Sequence, residues 1–272
     1  MPLWHPVRVS SGISTDIVDG VARVRLDRPD KLNALTLPML SELAATAHRL
    51  AGDRGLRAVV LSGEGEAFCA GLDFASVLPD RAGIARAFVP RPWRGTNTFQ
   101  EACWAWRRLP VPVIAVVHGH CLGGGVQIAL GADFRFTTPD ARWSVLEGKW
   151  GLIPDMSGIR SLAEQVGKDT AKRLVMTAEW IDGAEAARIG LATGADPDPQ
   201  LAASALLEQL AERSPDAVAA AKRLFERTWT SGPRRTFARE RLEQLRLLGL
   251  PNTARARKAA FSREAPRFGP RR

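Results

Sequence analysis

The sequence predicts an α/β core followed by a helical carboxyl-terminal part. Strand-like and helix-like segments alternate over residues 17–137, which is typical of strands joined by helical crossovers. Beyond Ser157 the apolar spacing is helical nearly throughout. A chain of 272 residues with 45% hydrophobic and 25% charged residues has a globular composition, which excludes a disordered or fibrous protein. We therefore divide the chain into a core over residues 1–195 and a helical region with a basic tail over residues 196–272.

The first strand, helix and strand unit occupies residues 17–61. Residues 17–26 alternate apolar and polar side chains around an Asp-Gly turn, which predicts a hairpin with one buried face. Thr36 is a plausible N-cap for a helix over residues 37–50, where apolar residues recur at three and four. The apolar run over residues 56–61 then predicts a buried strand.

The same alternation recurs further along. It predicts a helix over 96–109, a buried strand over 111–117, a helix over 124–130 and a strand over 132–137. The segment 79–95, rich in proline and arginine, is predicted to be the one long loop and the most mobile element. Later helices are predicted over 157–166, 168–178, 182–189, 200–213, 216–230 and 233–248.

The net charge of +9 is concentrated at the carboxyl-terminal end. Residues 233–272 contain twelve Lys and Arg against three Glu, so the rest of the chain is electrically balanced. We favour a solvated helical surface rich in arginine. Contact of this tail with nucleic acid, with a phosphate-bearing cofactor or with a neighbouring subunit stays open.

Cysteine usage and the amino-terminal segment predict a cytoplasmic protein. Cys69, Cys103 and Cys121 have no CxxC spacing and do not form a disulfide framework. Residues 1–16 lack the basic and apolar regions of a secretory signal, and no stretch approaches about 18 consecutive apolar residues. We therefore expect neither secretion nor a membrane partner.

Two glycine-containing loops each follow a predicted buried strand. HGHCLGGGVQ at 118–127 leads into a helix, and AFCAGLD at 67–73 forms a turn of small residues. Ligands of open α/β sheets bind beyond the carboxyl ends of strands, so backbone N–H groups of both loops could meet at one carbonyl oxygen. The dinucleotide and P-loop spacings are absent. Tight packing of helix against strand is the alternative for the glycine run, and a simple turn for the other loop.

Two acidic residues lie in an apolar, glycine-rich segment at 144–155. A carboxylate among Trp150, Leu146 and Leu152 would have its ionised form disfavoured, which suits a general acid or base. Glu147 is the stronger candidate, because Asp155 could instead cap a helix.

Five segments in this order resemble the enoyl-CoA hydratase/isomerase (crotonase) superfamily over residues 17–229. They are RPDKLNAL at 28–35, AFCAGLD at 67–73, PVIAVVHGHCLGGG at 112–125, LEGKWGLIP at 146–154 and IDGAEAARIGLA at 181–192. The resemblance implies a crotonase-type ββα spiral core and a helical carboxyl-terminal trimerisation region. It also implies a homotrimer or dimer of trimers, an acyl-CoA substrate that carries coenzyme A within its thioester, and neither a separate cofactor nor a metal.

The resemblance further assigns roles to residues. The backbone amides of Leu72 and Gly124 would hold the enolate oxygen formed from the thioester. Arg234, Arg235 and Arg239 could meet coenzyme A phosphates on a neighbouring subunit. The residues expected to bind substrate are Lys31, Leu32, Ala34, Ala70, Gly71, Asp73, Phe74, Gly119, Gly123, Leu146 and Pro154.

The chain departs from similar hydratases at Gln127, where they have a glutamate paired with a second at the position of Glu147. Glutamine cannot act as a base, which excludes a mechanism with two glutamates. Asp155 matches an aspartate of the dienoyl-CoA isomerase branch, although that branch also has an aspartate where Gln127 stands. We expect Glu147, Asp155 and Gln127 at the catalytic centre, and isomerisation of an unsaturated acyl-CoA. Hydration, a non-catalytic acyl-CoA-binding homologue and RNA binding by the tail are the alternatives, although we do not expect a nucleic-acid partner.

Overall fold

The computed structural model describes the backbone of residues 5–272 and the side chains of residues 11–272. It is an α/β protein with helices alone after the last strand, as the sequence predicts. The first four residues of the amino-terminal segment lie outside the described residues. Within the described part, no helix is both long and apolar enough to cross a membrane.

A seven-stranded sheet forms the centre of the molecule, with its strands in the order β1-β2-β3-β4-β5-β7-β10. The first three strands are antiparallel and those from β3 onward are parallel. Its members are β1 (His5–Ser10), β2 (Ile13–Val18), β3 (Val21–Leu26), β4 (Ala58–Gly63), β5 (Val113–Val117), β7 (Phe134–Thr137) and β10 (Gly194–Ala195).

A second sheet of three short strands lies beside the first one. Strand β6 pairs parallel with β8, and β8 pairs antiparallel with β9. These strands are β6 (His120–Leu122), β8 (Arg142–Ser144) and β9 (Ile181–Asp182). Because β6 directly follows β5, the small sheet carries the glycine run to the edge where the parallel strands end.

The helices of the core alternate with the strands along the chain and cover the sheets. Thr36 caps the first helix by accepting a hydrogen bond from the Met39 amide, which confirms the predicted cap. The core helices are α1 (Leu37–Ala51), α2 (Phe74–Val77), α3 (Arg81–Phe88), α4 (Thr98–Arg107), α5 (Gly124–Ala129), α6 (Gly158–Gln165), α7 (Lys168–Thr177) and α8 (Gly183–Arg188).

Four helices follow the last strand. They are α9 (Pro199–Ala211), α10 (Pro215–Thr228), α11 (Pro233–Leu248) and α12 (Pro251–Ser262). The sequence predicts the first three within two residues, and it misses α12, whose arginine-rich segment has little apolar periodicity. The division into domains at residue 195 stays a prediction.

The segment 79–95 corrects the prediction of one long loop. It contains α3, which begins because the Asp80 side chain accepts a hydrogen bond from the Gly83 amide. Ala87 is buried on this helix, and the Phe88 ring packs against Phe99 of α4 with 5.0 Å between centroids. Proline and arginine content concealed a short amphipathic helix that packs on the core.

Candidate active site

A cavity of about 510 Å³ lies beyond the carboxyl ends of β4 and β5. Residues from each of the three motifs singled out in the sequence line it. Its lining consists of Ala70, Gly71, Leu72, Phe74, Val77, Leu78, Ile84, Phe88, Phe99, Gly123, Gly124, Gln127, Leu146, Glu147, Trp150, Leu152, Ile153, Asp155 and Met156.

Main-chain hydrogen bonds hold the two glycine-containing loops together. The Cys69 amide donates to the His120 carbonyl at 2.8 Å, and the Leu122 amide donates to the Cys69 carbonyl at 2.9 Å. Gly71 has a φ of +95°, and a Cβ added there would lie 3.1 Å from the Leu122 carbonyl oxygen and 3.9 Å from the Gly124 nitrogen. Glycine at position 71 therefore allows both the left-handed backbone and the close approach of the loops.

This approach brings the amides of Leu72 and Gly124 to the same wall of the cavity. Among the hydrogen bonds of residues 5–272, neither N–H group has an acceptor. Gly124 is the first residue of α5, so its N–H group is also one that the helix leaves free. Two free N–H donors beside one cavity form the arrangement that stabilises a developing oxyanion.

The Asn33 side chain fixes the loop before the first of these amides. Its Nδ2 atom donates to the carbonyls of Glu64 and Ala67, each at 2.8 Å. Arg28 donates to the Asp73 carboxylate at 2.6 Å, and this hydrogen bond lowers the pKa of Asp73. The RPDKLNAL segment therefore holds the loop at 67–73 in place through hydrogen bonds.

Gln127 has its side-chain amide fully oriented by its neighbours. The Oε1 atom accepts hydrogen bonds from the amides of Met156 at 2.8 Å and Gly158 at 3.0 Å. Its Nε2 group therefore points the other way and donates to Glu147 Oε1 at 2.6 Å. Gln127 is buried, so these hydrogen bonds hold its side chain in one orientation.

Glu147 lines the cavity, and one of its carboxylate oxygens is unpaired. Its Oε2 atom is buried and has no hydrogen-bond partner among the described residues. Burial raises the pKa of Glu147, and the nearby Asp155 charge adds to this effect. The pKa of Asp155 is also raised by burial. Two carboxyl groups that take up a proton more readily than usual therefore line a largely apolar cavity.

The predicted site residues divide into two groups. The cavity brings together Gln127, Glu147, Asp155, Leu72, Gly124, Ala70, Gly71, Phe74, Gly123 and Leu146. Lys31, Leu32, Ala34 and Asp73 lie outside its lining, on or against the loop that carries Ala70, whose amide donates to the Leu32 carbonyl. Their contact with coenzyme A stays a prediction.

Gly119 and Pro154 do not line the cavity, and their positions have packing reasons. A Cβ at Gly119 would lie 1.9 Å from the Glu66 carbonyl oxygen, so glycine there permits the turn after β5 to pass the neighbouring loop. Pro154 packs behind the wall, where a Cβ on Gly158 would lie 2.9 Å from the proline Cβ.

Sequence reasoning missed most of the apolar lining. Ile84 and Phe88 come from α3, and Val77 and Leu78 precede it. The spacing of Ile84, Ala87 and Phe88 at three and four was the available signal. Trp150, which the sequence already placed beside Glu147, contacts the ring of Phe74 with 5.1 Å between centroids.

The cysteines beside the site are not poised as nucleophiles. Cys69 is buried, and burial raises its pKa to about 12. Its thiol donates to the Asn33 carbonyl and accepts from the Gly71 amide. Cys69 is thus a packing residue of the loop.

In this α/β fold, two backbone N–H groups without an acceptor in the described part of the chain and two buried carboxyl groups belong to residues that line one cavity. Residues 16–248 match the family enoyl-CoA hydratase/isomerase. The chain therefore belongs to the enoyl-CoA hydratase/isomerase (crotonase) family of enzymes. An acyl-CoA substrate is consistent with this family.

Relatives within the family are named for different activities. A probable enoyl-CoA hydratase from Rhodobacter capsulatus is 35% identical over 195 residues, which cover 72% of this chain and 70% of that protein. The mitochondrial Delta(3,5)-Delta(2,4)-dienoyl-CoA isomerase of Homo sapiens is 34% identical over 210 residues, covering 74% of this chain and 64% of that protein. The crystal structure of a putative enoyl-CoA hydratase from Streptomyces coelicolor A3(2) aligns with a TM-score of 0.86 and 31% identity, over 97% of this chain and 96% of that one.

Proposed function

We propose that the chain is an enoyl-CoA isomerase, which moves the double bond of an unsaturated acyl-CoA with Glu147 as the base. The observation that carries this proposal is the fixed amide of Gln127. Its carbonyl oxygen is occupied by the Met156 and Gly158 amides, so a neutral NH₂ group faces Glu147. Glu147 is then the glutamate that can exchange a proton, through its unpaired Oε2 atom.

The reaction on a 3-enoyl-CoA needs one proton transfer in each direction. Glu147 Oε2 takes a proton from C2, and the electron pair of that C–H bond moves into the thioester to give a dienolate. The Leu72 and Gly124 amides donate hydrogen bonds to its oxygen. The proton then returns to C4, the C3–C4 double bond moves to C2–C3, and the carboxylate is restored.

Asp155 extends this chemistry along the acyl chain. It lines the same cavity, and the pKa of Asp155 is raised by burial, which favours a carboxyl group that holds a proton. In a 3,5-dienoyl-CoA the second proton must be delivered at C6, beyond the position served by Glu147. Asp155 is the proposed donor for this longer shift. Glu147 then holds the proton from C2 and Asp155 is ionised, so a proton passes from Glu147 to Asp155, directly or through water, before the next turnover.

Hydration of a 2-enoyl-CoA is the second candidate, and the Rhodobacter relative named as a probable hydratase favours it. A water molecule bound to Glu147 Oε2 would be its nucleophile. Gln127 disfavours this candidate, because its oriented NH₂ group cannot remove or deliver a proton as a second carboxyl group would.

Glu147→Gln and Asp155→Asn variants test the proposal on 3-enoyl-CoA and 3,5-dienoyl-CoA. We expect Glu147→Gln to lower kcat on both substrates by at least about 100-fold, the lower range for a general base. Asp155→Asn is expected to impair the dienoyl conversion selectively. Full activity of Glu147→Gln would contradict the proposal, and coenzyme A thioester binding without turnover by the wild type would indicate a non-catalytic homologue.

A further inference from the structure

A fully buried carboxylate, that of Glu101 on α4, is held by side chains from several parts of the chain. His48 Nε2 hydrogen-bonds to its Oε1 atom at 2.7 Å, and Arg94 Nη1 donates to the same atom at 2.8 Å. Arg108 Nη1 donates to Oε2 at 2.8 Å, and the Thr96 hydroxyl also donates to Oε2. We call these five residues the Glu101 cluster.

Glu101 stays ionised within this cluster. Burial raises the pKa of Glu101, but the hydrogen bonds that it accepts and the charge of Arg108 outweigh burial and lower this pKa to about 2. A buried charge that loses a partner is strongly unfavourable, so such a cluster resists rearrangement. The cluster therefore fixes the segments that carry its members.

Two members of the cluster, Arg94 and Thr96, belong to the connector at 89–97, which joins α3 to α4. Arg108, which follows α4, also donates to the Arg94 carbonyl at 3.2 Å. The carboxylate itself lies on α4, and one of its partners, His48, lies on α1. The cluster therefore ties the connector to both helices.

Apolar packing contributes little to holding α3 and the connector in place. Ala87 is buried on α3, whereas Phe88 is 49% exposed and Trp93 of the connector is 79% exposed. A segment with little buried apolar surface is easily displaced unless other contacts hold it. The Asp80 cap holds the start of α3, and the Glu101 cluster holds the segment after its end.

The position of α3 determines one wall of the acyl cavity. Ile84 and Phe88 line the cavity from α3, and Phe99 lines it from α4. The connector begins directly after Phe88 and ends directly before α4. A displaced connector would therefore move Phe88 relative to Phe99.

We propose that Glu101 is a positioning residue that sets the acyl-chain selectivity of the cavity by holding the α3 wall in place. Glu101 does not line the cavity, so it acts on the acyl chain through the connector. The proposal rests on the cavity being the acyl-CoA site of the proposed function. It does not depend on whether the reaction is isomerisation or hydration.

Two connector variants test the proposal. Thr96→Val removes one hydrogen-bond donor of the cluster, and Arg94→Gln removes the ion pair that the connector makes. Both leave the buried carboxylate paired with Arg108, and thermal unfolding verifies that each protein is folded. Arg49→Gln is the matched control, because it removes a partly exposed glutamate–arginine ion pair on α1 outside the cluster.

Calorimetric titration with butyryl-CoA and decanoyl-CoA measures the selectivity. Both thioesters are saturated, so neither isomerisation nor hydration consumes them. We expect the affinity for butyryl-CoA relative to decanoyl-CoA to fall by about threefold in both connector variants and to stay unchanged in the control. A loosely held α3 yields to a long chain and loses contact with a short one, whereas a merely structural role would leave the ratio unchanged.

The double variant Phe88→Ala/Thr96→Val tests whether the cluster acts through the α3 wall. Because coupled residues have non-additive effects, we expect it to change the ratio by less than the product of the two single changes. An unchanged ratio in both connector variants, an equal change in Arg49→Gln, or effects that multiply fully would overturn this proposal alone. Absence of acyl-CoA binding to the wild type would overturn the proposed function as well.

Discussion

At the residue scale, Gln127 hydrogen-bonds to the Met156 and Gly158 amides and to Glu147, but it cannot exchange a proton as a second carboxyl group would. A glutamate there could still accept from the Met156 and Gly158 amides, but its other oxygen would face Glu147 at the 2.6 Å now spanned by an N–H···O hydrogen bond. Two carboxylates so close cannot both ionise readily, so the pKa of one must rise.

Gln127→Glu is therefore expected to change both the product and the pH profile. The acid limb of kcat should move to higher pH, and 2-enoyl-CoA should yield some hydrated product. The pH dependence of kcat and the mass of the product measure these effects. An unchanged profile with no hydrated product would contradict the role given to Gln127.

The ionised form of Glu147 is predicted to lower the stability of the folded protein. Burial raises the pKa of Glu147 above its ordinary value of 4.5, so the folded state binds a proton more tightly than the unfolded state. The stability that protonation contributes is fully present below pH 4.5 and is lost as the pH rises through the folded pKa.

The neutral variant Glu147→Gln avoids this loss. We expect its Tm to exceed that of the wild type at pH 7 and the difference to shrink toward pH 4, as followed by thermal unfolding at both values. A variant less stable than the wild type at pH 7 would show that the carboxylate stabilises the fold.

At the scale of elements, the sequence predicted those parts that local pattern determines. Strands β4 and β5 are continuous apolar runs, and α1 has both its cap and its periodicity. The short strands β6, β8, β9 and β10 have two or three residues each, and their pairing depends on distant partners that no local pattern indicates.

The same reasoning explains which site residues were predictable. Glu147 and Gln127 have polar side chains, and Gly71 has the backbone freedom of glycine. The residue type alone therefore indicates what each can do in a site. Ile84 and Phe88 are apolar, so nothing distinguishes a wall of the cavity from an ordinary core position until α3 is placed. The acyl-binding wall is therefore the part of the site that needed the structure.

Helix α3 is expected to set which acyl chains fit. Phe88→Ala removes a ring from the cavity wall, so short acyl chains should lose about 1 kcal/mol of contact, about fivefold in kcat/KM, relative to long ones. Comparison of kcat/KM for C4 and C10 substrates measures this shift. Phe261→Ala, on the exposed surface of α12, is the control and should leave the ratio unchanged. A ratio unchanged in Phe88→Ala would contradict the assignment.

At the scale of the whole molecule, the helices after β10 carry apolar side chains on their surface. Phe225, Trp229, Leu242 and Leu245 are each more than half exposed. Apolar surface of this kind is typical of contacts between subunits. The homotrimer or dimer of trimers stays a prediction.

Light scattering coupled to size-exclusion chromatography tests the oligomer. Three chains of 29.6 kDa give about 89 kDa, and a dimer of trimers has twice that mass. Trp229→Glu should shift the protein toward smaller species, because it places a charge in the expected contact. A wild-type mass of about 30 kDa would contradict the prediction.

A site with one available glutamate is expected to move a double bond without adding water. The most direct test incubates the wild-type protein with 2-enoyl-CoA and 3-enoyl-CoA in separate reactions and determines the mass and retention of each product by chromatography with mass detection. Isomerisation predicts a product of unchanged mass at the retention time of the other isomer. A product heavier by one water molecule would contradict the claim.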